Sequence, residues 1–311
     1  MSSTFGNFFS GLRLPFSIPN PFLSRGPTTT PTAVTNYLTI AVPPFLLLFL
    51  FSAPSILRSY REWLALGPGG PPYNFLGFVV QSAMGLLGRT DIRAVPPPYY
   101  RRRQQRRSTL DEEEEEAAAD VDEAVVRAYA PHGRTSFLPG DGPSLEPRAG
   151  PRPEVPTFVS PHRQTSMAAA PEMVARMEAF LHALVEAQKR EVKDLLEIKP
   201  SQLEGGHHPA IFVTEKGGDI PPFMGIAKRE IVHSHSEGSS HLTLSLVDGE
   251  EAVAKGWGER HRLSGVNKVL PWSYTLLYAP RNDEEFEVWT KFVVAACRFV
   301  TGGKDIKMIL A

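Results

Sequence analysis

The chain has 311 residues, with 33 Lys and Arg against 34 Asp and Glu, so no broad basic surface points to a nucleic-acid partner. Its single cysteine, Cys297, excludes an internal disulfide and argues against a CxxC redox centre or a thiolate metal site. Its 29 prolines are too many for one compact globule, so part of the chain is expected to lie outside a packed core.

Residues 1–36 are Ser/Thr/Pro-rich and read as a disordered leader. The run Tyr37 to Leu57 carries no charge and has the length of a transmembrane helix, with Pro43, Pro44 and Pro54 tolerated as they are in spanning segments. Arg58, Arg61 and Arg89 after it, against Arg13 and Arg25 before it, predict a single-pass anchor with a cytoplasmic C-terminal part. Within the membrane-proximal segment 58–91, the apolar stretch Phe75 to Leu87 is too short to span and reads as an interfacial or core-packed helix. Over 92–151 the composition turns to Pro96-Pro97-Pro98, arginines from Arg101 to Arg107, acids from Asp111 to Glu116 and a Pro/Gly-rich tail, the pattern of a disordered linker.

From Arg152 to Ala311 the pattern is globular. Met173, Met177, Phe180, Leu181, Leu184, Val192, Leu195 and Leu196 mark one face of a long amphipathic helix over Pro171–Ile198. Strands are predicted at Ala210–Thr214, His241–Leu246 and Ser273–Ala279. Asp248 with Glu251 has capping-box spacing for a very short helix ending at Gly256. Asn282 caps a second helix carrying Phe286, Trp289, Phe292, Val293, Ala296 and Phe299, stopped by Gly302-Gly303. The expected fold is α+β, a mainly antiparallel sheet with long amphipathic helices, preceded by one N-terminal transmembrane helix.

His233-Ser-His-Ser-Glu-Gly-Ser-Ser-His241 places three imidazoles around one turn. If the loop runs from Ser236 to Ser240, His235 faces His241 and all three rings converge. Such a cluster is a polar patch, a metal site with a fourth ligand from Glu237 or His261, or an acid/base centre, since imidazole takes a proton near neutrality. Downstream, Lys255-Gly-Trp-Gly-Glu-Arg-His261 reads as a loop in which Trp257 walls an aromatic ligand, Arg260 stabilises an oxyanion and His261 adds a proton donor.

Lys228-Arg229-Glu230-Ile231 with His233, His241-Leu242, Lys255-Gly256-Trp257-Gly258 with Arg260-His261, and Leu277-Tyr278-Ala279-Pro280-Arg281-Asn282 together resemble the fungal luciferases and luciferase-domain proteins. Tyr60, Gly67-Pro68, Asn74-Phe75 and Gly77 resemble the family's membrane-proximal stretch, and Arg152-Pro153 and Arg163-Gln164 its entry into the catalytic region. The resemblance implies a membrane-bound oxygenase of the endoplasmic reticulum or another endomembrane. Its implied substrates are O2 and an enolic pyranone or phenolic, 3-hydroxyhispidin in luminous members, with no flavin or nicotinamide. Its implied partners are the small-molecule substrate and the lipid bilayer. On this basis His233 or His235 is the base, His241 orients, Arg260 holds anionic charge and His261 relays a proton, while Trp257, Lys228, Arg229, Tyr278 and Arg281 contact substrate. A bound metal is not favoured; a metal-dependent enzyme using His233, His235 and His241, or a tethered binding module, are the alternatives.

Overall fold

A computed structural model describes residues 51–101, 120–139, 145–191, 194–217, 221–267, 269–303 and 306–309. The leader and the first fourteen positions of the apolar run, 37–50, lie outside the described residues. Among the described residues no helix is long and apolar enough to cross a membrane.

Helix α1 covers 51–65 and α2 covers Phe75–Gly85, capped by the Asn74 side chain accepting from Gly77 N–H. Trp63 joins α1 to the rest of the chain: it is fully buried, lies tilted against Phe78 at 6.0 Å between ring centroids, and its Nε1 donates to Ser160 O at 2.9 Å. The other side of α2 leaves Phe75, Leu76 and Val79 exposed.

Of the stretch read as a linker, 102–119 and 140–144 lie outside the described residues, and the remainder is structured. Strands β1 (Tyr100–Arg101) and β2 (Asp120–Val121) pair antiparallel, and Asp122 caps helix α3 (Glu123–Ala128). Tyr99, Tyr129, Leu138 and Leu145 are buried in the main core, with Tyr129 stacked on Phe223 at 4.5 Å between ring centroids. Net composition is set by the charge blocks, whereas packing is decided by these few dispersed apolar and aromatic side chains.

Helix α4 (Pro171–Glu191) leads into a six-stranded antiparallel sheet formed by β3 (Leu196–Pro200), β4 (Pro209–Val213), β5 (Glu230–Ser234), β6 (Ser240–Thr243), β7 (Gly258–Arg260) and β8 (Tyr274–Leu277), in spatial order β3-β4-β5-β6-β8-β7. The helix predicted to reach Ile198 thus ends earlier, because Leu196 to Pro200 pair with β4 and their apolar side chains serve a strand. The strand predicted to reach Leu246 ends at Thr243. Ser245 then caps helix α5 (Leu246–Ala254) by accepting from Asp248 N–H at 3.1 Å. Asp248 is therefore inside the helix, and its carboxylate accepts from Ser136 Oγ at 2.6 Å and Phe137 N at 2.9 Å.

Helix α6 (Asp283–Val300) begins where Asn282 Oδ1 accepts from Glu285 N–H at 2.9 Å. It lies against β5 and β6, while α4 lies against β3 and β4. Trp289 Nε1 donates to Ser240 Oγ at 3.0 Å, so α6 covers the sheet face opposite His241. Phe180 of α4 meets Phe286 and Trp289 edge-on, closing the core between the helices.

Two substitutions separate capping from core packing. Phe286→Ala is expected to cost about 3–5 kcal/mol, and Asn282→Ala about 1 kcal/mol, as read from urea unfolding midpoints of the full chain; equal losses would contradict this division.

Candidate active site: a buried imidazole and carboxylate cluster

In the β5–β6 hairpin His233 stands opposite His241 and Ser234 opposite Ser240. His235 continues the pairing by donating its N–H to Ser239 O at 2.8 Å, and Gly238 closes the turn at φ +94°. A Cβ on Gly238 would lie 2.6 Å from Ala169 Cβ, so only glycine fits. The partner of His241 is thus His233, two residues from the predicted His235. A two-residue shift preserves the alternation of faces, so the rings still converge. Ring centroids are 5.1 Å apart for His233 and His235, 5.2 Å for His233 and His241, and 4.9 Å for His235 and His241.

The neighbouring strands decide which other residues share this face. Across the sheet His241 is level with Leu276, and Leu276 with Glu259, so Glu259 joins the histidines and Arg260 projects oppositely. Arg260 donates to Ile92 O at 3.3 Å and Ala94 O at 3.1 Å, remote from the cluster. Gly258 to Arg260 is a strand where a loop was expected. Trp257 donates to Glu146 O at 2.9 Å beside Leu277 and Trp289 and walls no part of the cavity. Lys228 is exposed, Arg229 caps Thr214 O at 2.8 Å, and Arg281 pairs with Glu285 at 2.9 Å. Tyr278 is one step removed, donating to Glu259 Oε2 at 2.8 Å.

Three features escape the two-residue strand pattern. A bulge opposite Ile211 and Phe212 makes Ile231 the extra residue of β5 and turns Glu230 toward the histidines. Glu230 Oε1 lies 2.6 Å from His233 Nδ1, and the carboxylate also accepts from Ser201 Oγ at 2.7 Å and Gln202 N at 2.8 Å. The β3–β4 loop, bent by Gly205 and Gly206 at positive φ, carries Glu204, whose Oε1 lies 3.7 Å from His233 Nε2 and 3.5 Å from His235 Nε2. Arg163 pairs with the other oxygen of Glu204 and donates to Leu66 O at 2.8 Å and Pro68 O at 2.9 Å. Finally, His162 Nδ1 lies 3.1 Å from His241 Nε2, and its Nε2 lies 3.4 Å from Glu259 Oε1.

His261 is held differently. Leu263 N–H donates to its Nδ1 at 3.0 Å, so Nε2 carries the proton and donates to Val159 O at 3.0 Å. Both nitrogens are committed to the backbone, leaving no lone pair for a proton relay. Burial and the neighbouring His162 hold its pKa well below the usual histidine value. Burial likewise disfavours a charge on His235, but Glu204 and Glu237 outweigh it and raise its pKa to about 9. His241 is pushed well below its usual value by burial and by the surrounding imidazoles. Glu204 is depressed despite burial because His235, His233 and Arg163 face it.

The cluster forms one wall of a cavity of about 420 Å³. Val80 and Met84 of α2, with Val159, Leu263, Leu270 and Tyr274, supply the apolar remainder. Tyr274 stacks on His241 at 5.2 Å and an interplanar angle of 13°.

Residues 228–296 match the Luciferase domain family, a span that holds the hairpin histidines, Glu230 and Glu259 but not His162 or Glu204. The chain is similar to a luciferase of Armillaria mellea, 31% identical over 177 residues, covering 54% of this chain and 65% of that protein. It is also similar to a luciferase of Armillaria ostoyae, 32% identical over 169 residues, covering 51% and 62%. A luciferase of Neonothopanus nambi is 27% identical over 266 residues, covering 82% and 85%. The chain thus matches a little under two thirds of the length of the Armillaria proteins. No solved structure matches it.

Because Arg163 neutralises a buried carboxylate, Arg163→Ala is expected to destabilise the chain by about 3–5 kcal/mol, with the Arg163→Ala/Glu204→Gln double variant recovering part of the loss. Chemical denaturation of these two variants and of Glu204→Gln alone measures the coupling; strictly additive losses would contradict it.

Proposed function

We propose that the chain, whose residues 228–296 match the Luciferase domain and which is similar to fungal luciferases, is an oxygenase of luciferase type acting with O2 on an enolic pyranone or phenolic small molecule. The observation that carries this reading is the buried cluster standing as the polar wall of an otherwise apolar cavity. A flat conjugated ring packs against Tyr274, Leu263 and Leu270, with its enol hydroxyl toward His233 and His241. His241 is kept neutral there by its surroundings.

The chemistry begins with removal of the enol proton, continues with addition of O2 to the resulting carbanion, and ends with loss of CO2 from a strained peroxide. What the protein supplies is proton acceptance and charge stabilisation from side chains that are themselves buried, which is where such groups act most strongly. Neither flavin nor nicotinamide is needed. The compound to test first is 3-hydroxyhispidin, the styryl-pyranone that the family resemblance implies.

We also place the chain on a membrane, an endomembrane by the same resemblance, with its C-terminal part cytoplasmic. Supporting this, Phe51, Leu57, Phe75, Leu76, Val79 and Leu86 are exposed on and beside α1 and α2, continuing the apolar run that begins at Tyr37.

With the full chain and 3-hydroxyhispidin, O2 uptake and photon emission are recorded together. His233→Ala is expected to lower uptake at least 100-fold, and Trp257→Phe to leave it within about twofold because the indole lies outside the cavity; comparable losses in both would sink this placement of the site. In flotation assays the full chain is expected to rise with vesicles and to stay bound in high salt, since its contact is apolar; release by salt would count against the anchor.

A further inference from the structure

The free nitrogens of the hairpin histidines point at one another and at a carboxylate. His233 Nε2 is 3.3 Å from His241 Nδ1 and 3.7 Å from Glu204 Oε1, and His235 Nε2 is 3.5 Å from the same oxygen. The four donor atoms all lie within 4.8 Å of one another. A tetrahedral ion with bonds of about 2.0–2.1 Å has donor-to-donor edges of roughly 3.3 Å, the separation these atoms already approach. His235 Nε2 is buried, and its distance to Glu204 is too long for a good hydrogen bond, so it enters the cluster with its bonding capacity unspent.

The far side of each ring strengthens the case, because a ligating imidazole characteristically donates its other N–H to a carboxylate or its equivalent. His233 Nδ1 meets Glu230 directly. His235 Nδ1 meets Ser239 Oγ at 2.8 Å, and Ser239 in turn donates to Glu237. His241 Nε2 meets His162, whose second nitrogen faces Glu259. Three rings therefore have three outer supports, each ending in a carboxylate. His261 has no such freedom, both its nitrogens being bound to backbone.

We propose that His233, His235, His241 and Glu204 form a mononuclear site for a divalent first-row transition-metal ion at the wall of the substrate cavity. Three imidazoles and one carboxylate suit zinc, iron, manganese, cobalt or copper and are a poor set for calcium or magnesium. Glu237, expected from the sequence as a fourth ligand, instead supports His235 from outside. The inference deepens the oxygenase reading, resting on it only for the expectation that turnover follows the metal.

The test uses the full chain, stripped with a chelator and reloaded with Zn2+, Mn2+, Fe2+ or Co2+ one at a time. Elemental analysis is expected to give one ion per chain, and Co2+ to give the d–d absorption of a four- or five-coordinate centre. Glu204→Gln, which keeps the shape of the side chain, and His235→Ala are each expected to weaken binding more than about 100-fold, and Glu230→Gln by about 10–100-fold. His182→Ala, on the exposed side of α4, leaves binding unchanged. A folded chain that takes up no ion, or one whose uptake is equal in wild type, Glu204→Gln and His235→Ala, overturns the site. Oxygen uptake lost on stripping and restored by metal supports it, whereas full uptake by the metal-free chain overturns a catalytic metal and leaves the oxygenase standing. Stoichiometric metal without uptake of O2 on any enolic pyranone sinks the oxygenase and leaves the site.

Discussion

Carboxylates and imidazoles can be packed together away from water only where each charge meets a partner, since an isolated buried ion costs several kcal/mol. Everything on the histidine face of the sheet follows from that constraint. Glu204, Glu230 and Glu259 are all buried, and each is answered, by Arg163, by His233 with Ser201, and by Arg93 with Tyr278. Arg163 does more than neutralise Glu204. Its Nη1 donates to Leu66 O and its Nη2 to Pro68 O, so the segment after α1 is fastened to the same charge pair that shapes the cluster.

The arrangement explains why the segment 58–91 is part of the folded unit. Trp63 anchors α1 on Ser160, two residues before His162, and α2 contributes Val80 and Met84 to the cavity while showing Leu76 and Val79 to the outside. One short helix is thus a wall shared by the interior site and an apolar exterior. Residues 228–296, which match the Luciferase domain, contain the hairpin and its alternation but only part of the charge network. Glu204, Arg163 and His162 come from earlier in the chain, so the cluster is a property of the larger unit.

How much of this was legible depended on whether a residue obeyed a local period. The convergence of His233, His235 and His241 was readable because alternate strand residues share a face, and the actual pairing differs from the expected one by an even number. Asn282 and the apolar face of α6 were readable for the analogous helical reason. Arg260 was misplaced because Gly258 to Arg260 looked like a glycine loop; taken as a strand, its alternation would have separated Glu259 from Arg260. Glu204 and His162 lie on loops, where no period ties a side chain to a face. Nothing in the sequence brings them within reach of residues many positions downstream.

The extra residue in β5 carries its own lesson. Ile231 is buried, and a simple ribbon would have sent Glu230 and His233 to opposite sides. The carboxylate that orients this ring is therefore secured by a count of backbone positions, with the identity of the intervening side chain secondary. Exchanging Ile231 for valine would disturb little, and deleting it would leave Glu230 opposite Phe212 and two positions before His233, on the same face by plain alternation. Among related chains, a glutamate two positions before this histidine, with no bulge, would hold the same place that Glu230 holds here from three positions away.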